Sequence, residues 1–283
     1  MKTDNLVIDT EVIKRLSLLI LIFSLTIFNC CTKSEKSNSY STHKPIPNID
    51  FTYIKSYPHD TTSFTEGLLI HDGQLYESSG ATSDLTQTKS LFGIVDLTTG
   101  KIDIKVEIDR LKYFGEGITI LNQKIYQLTY KTKIGFVYDA TTFKKIRDFS
   151  FSNKEGWGLT TDGTNLIMSD GTYELTYLDP FTLQPIKKIT VTENGSVKEN
   201  LNELEFIKGY IFANIWPTNT IVKINPEDGK IVGRLDLTPL HDDSKSLYPR
   251  SLEMNGIAYD SISNRIFVTG KLWPKIYELE IRI

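Results

Sequence analysis

Two short segments of this chain place a carboxylate between an aromatic residue and a glycine: Phe64-Thr-Glu66-Gly67-Leu68 and Phe114-Gly-Glu116-Gly117-Ile118. A carboxylate can take a proton from one reacting atom and return it to another, which is general acid/base work. Three more segments have the same shape with a different central residue: Gly156-Trp157-Gly158-Leu159, Leu201-Asn202-Glu203-Leu204 and Met254-Asn255-Gly256-Ile257. A second equivalent set lies further along each copy: Gly80, Tyr130, Gly171, Trp216 and Lys271. Together these positions offer acid/base groups, amides, one ammonium and aromatic faces, the furniture of a polar-ligand pocket.

Other chemistries lack their residues. The two cysteines, Cys30 and Cys31, are adjacent near the N-terminus. The body therefore has no thiol nucleophile, no disulfide framework and no Cys-ligated zinc. His43, His59, His71 and His241 are scattered without ligand spacing, and His59 reads as a loop histidine beside Asp60. No metal-ligand set is expected. Lys plus Arg is 32 against 35 Asp plus Glu, with no basic stripe, which argues against nucleic acid as a partner.

The five copies recur every 40 to 50 residues or so, the period of a β-propeller blade. Each continues through a turn into a short hydrophobic strand, such as Leu75-Tyr-Glu-Ser-Ser-Gly80 or Ile125-Tyr-Gln-Leu-Thr-Tyr130. Between copies lie strand, Asp- or Asn-led turn, strand units, for example Gly135-Phe-Val-Tyr-Asp139 onward. The fold class expected is all-β, a five-bladed β-propeller with a central channel over residues 47–283. The segments at Phe51–Tyr57 and Lys275–Ile281 are expected to share one blade and close the ring. The innermost strands then line the channel and bring Glu66, Glu116, Trp157, Asn202 and Asn255 to its axis.

Ahead of this body, Lys14-Arg15 precedes an apolar run from Leu16 to Phe28 that ends at Asn29-Cys30-Cys31. Residues 1–30 read as a lipoprotein-like signal segment, with Cys30 as lipid acceptor and Cys31 as the alternative. Residues 31–46 read as a polar tether. The protein is thus expected to be exported and held to a membrane by a lipid anchor, as a periplasmic or cell-surface lipoprotein.

The body resembles the plant- and bacterial-type glutaminyl-peptide cyclotransferases over about residues 51 to 283. The resemblance rests on Tyr57-Pro-His-Asp60, Phe64-Thr-Glu-Gly-Leu68, Tyr113-Phe-Gly-Glu-Gly-Ile-Thr119, Gly156-Trp-Gly-Leu159, Leu201-Asn-Glu-Leu-Glu205, Ala213-Asn-Ile-Trp216, Asn255-Gly-Ile-Ala-Tyr-Asp260 and Val268-Thr-Gly-Lys-Leu-Trp-Pro-Lys275, in order and spacing. It implies conversion of N-terminal glutamine of peptides or proteins to pyroglutamate, with ammonia released and no metal required. It implies Glu116 as the acid/base, with Asn202 and Lys271 as polar catalytic contacts. Phe114, Trp157 and Trp216 would form the aromatic pocket; Phe64, Glu66, Tyr130 and Asn255 are expected to face substrate from their places in the repeat. Two departures stand out: Glu66 where the family often has Gln, and Tyr130 where it has Trp. The segment Glu77-Ser-Ser-Gly-Ala-Thr-Ser83 also differs, which bears on the channel rim. No cofactor is required by this reading, although a structural calcium is compatible with it. The rival readings are a non-catalytic propeller that binds peptides or other ligands, and a calcium-dependent propeller hydrolase using Glu66, Glu116, Asn202 and Asn255. The sequence leaves the oligomeric state open.

Overall fold

Short hairpins dominate the chain because turn-formers recur at fixed offsets. Asp72-Gly73, Asn122-Gln123 and Lys208-Gly209 all have positive φ, the geometry that reverses a twisted strand pair in two residues. At the outer hairpins the side-chain oxygens of Asp96, Asp139, Asp179 and Asn225 accept backbone N–H groups from two or three residues on. The computed structural model describes residues 45–282. The signal segment, Cys30 and most of the assigned tether lie outside the described residues.

Five four-stranded antiparallel sheets result. From inside outward, blade one is Thr65–His71, Gln74–Ser79, Leu91–Val95 and Ile102–Glu107. Blade two is Gly115–Leu121, Lys124–Thr129, Ile134–Asp139 and Lys145–Ser150, and blade three is Leu159–Thr161, Leu166–Met168, Glu174–Leu178 and Pro185–Thr190. Blade four is Leu201–Ile207, Tyr210–Ile215, Thr220–Ile224 and Ile231–Asp236. Blade five runs Met254–Asp260, Arg265–Gly270, Lys275–Ile281, and takes its outermost strand from the other end of the body, Phe51–Pro58, with Phe51 opposite Ile281. The shared closing blade is as the sequence indicates. Each inner strand touches the inner strands of both neighbouring blades, and the series closes from blade five back to blade one.

Burial follows position in the blade. All of Gly115–Leu121 is buried, whereas the outermost Lys145–Ser150 is largely exposed and carries Lys145, Arg147 and Asp148. Charges on an outer edge discourage pairing with other chains. The core lies between blades: Ile118, Ile120, Tyr76 and Phe136 pack blades one and two, and Leu128, Leu159 and Met168 pack blades two and three.

Three features depart from the sequence reading. His59 does sit in a loop directly after a strand, but it is buried and bonds away from Asp60: Nδ1 lies 2.8 Å from the Trp273 carbonyl oxygen and Nε2 3.0 Å from Glu77 Oε2. Asp60 instead accepts from Thr62. Ser63 and Thr65 hydroxyls also donate to Glu77, so this cluster joins blade five to blade one at the ring closure. Burial works against both charged forms, but Glu77 outweighs it to hold the His59 imidazole up, and His59, with the Ser63 and Thr65 hydroxyls, outweighs it to hold the Glu77 carboxyl down. Second, Ile46, assigned to the tether, packs on blades three and four, and Pro47 accepts the Arg234 N–H. Third, a helix, Thr238–Leu247, fills the long interval between blades four and five. It docks through Leu240 and through Ser244 and Asp243 to the Tyr277 hydroxyl.

Candidate functional site

The inner strands do not run regularly into the channel. Register shifts fall between Thr65 and Gly67, Gly115 and Ile118, Leu201 and Leu204, and Met254 and Ile257. These four irregularities contain Glu66, Glu116, Asn202 and Asn255. A bulge inserts a residue and re-aims side chains, which is how strands bonded on one edge turn polar groups toward the axis. In blade three Trp157 precedes the strand and its carbonyl accepts the Gly117 N–H at 2.8 Å. A Cβ on Gly117 would meet the Trp157 oxygen and Leu159 nitrogen at 2.5 Å, so glycine is required for this approach.

A cavity of about 470 Å³ opens at the end of the channel where the inner strands begin. Phe64, Glu66, Phe114, Glu116, Tyr130, Trp157, Asn202, Trp216 and Lys271 line it. Every residue expected to act in catalysis or to contact substrate, except Asn255, is therefore brought together. Asn255 is fully buried outside this lining; its Nδ2 donates to Glu66 Oε2 at 2.9 Å and to the Thr65 carbonyl at 3.1 Å. It holds Glu66 from behind the cavity lining. Thr82, within the Glu77–Ser83 segment tied to the rim, completes the wall with Lys154, Glu155, Gly171 and Asn200; Lys154, Glu155 and Asn200 were not selected from sequence.

The aromatic rings form two walls. Phe114 sits between Phe64 and Tyr130, with centroids 5.8 Å away on each side. Trp157 meets Trp216 edge to face at 6.0 Å. The second-ring glycines make room for them: the place of a side chain on Gly80 is filled by Phe114, and on Gly171 by Trp157.

Between these walls lie the charges. Lys271 Nζ is 2.8 Å from Glu66 Oε1 and 4.6 Å from the Phe64 ring centroid. Both members of the pair are almost completely buried. Burial disfavours the ammonium, but Glu66 and Glu116 outweigh it and hold the Lys271 pKa up. Burial pushes Glu66 up to about 7 against the opposing pull of Lys271 and Asn255. Glu116, 4 % exposed, has no hydrogen bond to its carboxyl among the described residues. Burial first, then the charge of Glu66, lifts its pKa well above the usual carboxylate range. Asn202 Oδ1 is buried with no hydrogen-bond partner among the described residues. A calcium-hydrolase reading fits poorly, because Lys271 and the Asn255 amide already satisfy Glu66 with donors.

Behind the cavity, Glu203 accepts the Ile257 and Leu68 N–H groups at 2.8 and 3.2 Å, and Glu205 accepts that of Tyr259 at 2.9 Å. These carboxyls tie blade four to blades one and five, and burial raises Glu203 strongly and Glu205 to about 8. Glu66, Glu116, Glu203 and Glu205 thus bind protons more readily folded than unfolded. Between an unfolded value near 4.5 and the raised folded values, folding takes up protons, so stability falls as pH rises through that window. Glu77 and the depressed surface aspartates act the other way, but below about pH 4.5, where their unfolded forms titrate. The Tm at pH 5.5 is expected to exceed that at pH 8.0; the opposite order in calorimetry would contradict these shifts.

The sequence profile of the glutamine cyclotransferase family matches residues 22–281. The chain is 39% identical over 257 residues to the glutaminyl-peptide cyclotransferase of Arabidopsis thaliana, covering 90% of this chain and 78% of that one. It is similar in structure to Myxococcus xanthus glutaminyl cyclase, with a TM-score of 0.76 at 31% identity over 84% of this chain and 98% of that one.

Proposed function

The chain belongs to the glutamine cyclotransferase family, whose reaction closes N-terminal glutamine to pyroglutamate with loss of ammonia, and from that premise we propose that Glu116 carries the proton transfers. The observation that supports this most is its carboxyl: buried, facing the cavity, raised in pKa and unclaimed by any other side chain among the described residues.

The α-amine attacks the γ-carboxamide carbon; one N–C bond forms and the bond to the amide nitrogen breaks. A peptide ammonium titrates near 7.7–8.0, and a carboxylate raised well above its usual range is a stronger base toward that proton. Glu116 removes that proton, exposing the nucleophile, and delivers it to the leaving nitrogen. It then receives the second proton as the ring nitrogen becomes an amide, and passes it to the departing ammonia. Lys271 keeps donors beyond the one given to Glu66, and with the Asn202 amide these stabilise the tetrahedral oxyanion. The two aromatic walls hold the glutamine chain folded so that amine and carboxamide meet. The proton steps and the oxyanion contacts are all assigned to side chains, so the reading needs no metal.

Glu66 has a supporting role in this scheme. Glu66→Gln should keep activity within roughly tenfold, since an amide oxygen can still accept from Lys271 at the cost of a charge-assisted hydrogen bond. Removing the Glu66 charge takes away repulsion on Glu116 and frees the Lys271 charge to act on it. Both lower the Glu116 pKa, so the acid limb of the pH–rate profile should move to lower pH. An unmoved limb would show that Glu66 and Glu116 are not coupled.

We further propose export and lipidation at Cys30, supported by the apolar run that ends there. Substrates would then be exported peptides or proteins that begin with glutamine.

A further inference from the structure

The deep end of the cavity accounts for the glutaminyl head, but the rest of the peptide must leave past the mouth. Lys154, Glu155, Asn200 and Trp216 stand there, Trp216 with 37% of its surface exposed. Glu155 differs from its neighbours. It is half-buried, its Oε2 accepts the Trp157 indole N–H at 2.9 Å, and it has no cationic partner among the described residues. Burial is the main cause of the raised pKa of both Glu116 and Tyr130, and the Glu155 charge adds to each, so its field reaches the reacting end. The other charges on the lining weigh less: Lys271 is paired with Glu66, and Lys154 is exposed and screened by solvent.

We propose that Glu155 is a specificity-determining residue that favours peptides with Lys or Arg directly after the N-terminal glutamine. The inference rests on the cavity being the cyclisation site. A basic side chain at that position would lay its aliphatic stem along the exposed Trp216 and set its cationic head between the Glu155 carboxylate and the Trp157 indole. A half-buried, unpaired carboxylate attracts such a head more strongly than a fully solvated one, because less water screens it.

The test is kcat/KM by ammonia release for amidated Gln-Lys and Gln-Glu dipeptides. Glu155→Gln retains an oxygen to accept the indole N–H while losing the charge. The Lys-to-Glu ratio of kcat/KM should fall roughly threefold to tenfold in that variant, the worth of a partly screened ion pair plus the matching repulsion. In the unaltered protein the ratio should also shrink with added salt. A ratio unchanged by the substitution, even with uniformly lower turnover, would overturn the proposal and leave Glu155 only as a support for Trp157. Failure of the unaltered protein to turn over either dipeptide would instead overturn the assignment of the cavity itself.

Discussion

Lys271→Met is expected to lower the Tm by on the order of 10 °C and to cut ammonia release at least about a hundredfold. Lys271 and Glu66 are both almost fully buried and meet at 2.8 Å. Removing one member of a buried pair strands the other charge, which typically costs about 3–5 kcal/mol. Glu66 can relieve this by taking up a proton, and it does so more readily at low pH. The stability deficit should therefore grow from pH 5.5 to pH 8.0. Adding Glu66→Gln removes the stranded charge, so the double variant should regain much of the lost Tm but not the lost turnover. Thermal melts and ammonia assays on the three variants check this. An unchanged Tm in Lys271→Met at pH 8.0 would mean that Lys271 and Glu66 are not an ionised pair in the folded protein.

Glu116→Gln is expected to reduce kcat by roughly 10²–10⁴-fold, the usual worth of a positioned acid/base. The amide matches the carboxyl in shape and cannot carry the proton. Stability should be unchanged or slightly higher, because the native carboxyl is buried without a hydrogen-bond partner among the described residues and its charged form is disfavoured there. A folded, thermally stable but nearly inactive protein separates lost chemistry from lost structure. Residual activity within tenfold of the original would remove Glu116 from the proton path.

The ring itself was legible in the sequence because a blade is a unit that must repeat. The copies around Glu66, Glu116, Trp157, Asn202 and Asn255 mark the inner strands, and the two terminal segments had no partner but each other. What was not legible came from irregularity. The four register shifts that aim the polar groups inward are set by backbone geometry, although a glycine directly after Glu66, Glu116 and Asn255 was a signal of a bulge. The supporting role of Asn255 depends on its reaching across from blade five to Glu66. His59 and Glu77 form a buried pair only because the closing strand brings His59 beside blade one; adjacency to Asp60 pointed elsewhere. Lys154, Glu155 and Asn200 sit on loops whose paths no periodicity specifies. The helix Thr238–Leu247 lay hidden in the longest interval between copies.

The central claim, that Glu116 moves the proton, is tested most directly by the pH dependence of kcat/KM for ammonia release from a Gln-initiated dipeptide, in buffer with EDTA, for the unaltered protein and for Glu116→Gln. The unaltered protein should lose activity on the acid side as Glu116 takes up its proton, and the variant's residual rate should lack that limb. A variant that keeps both the rate and the acid limb would contradict the assignment.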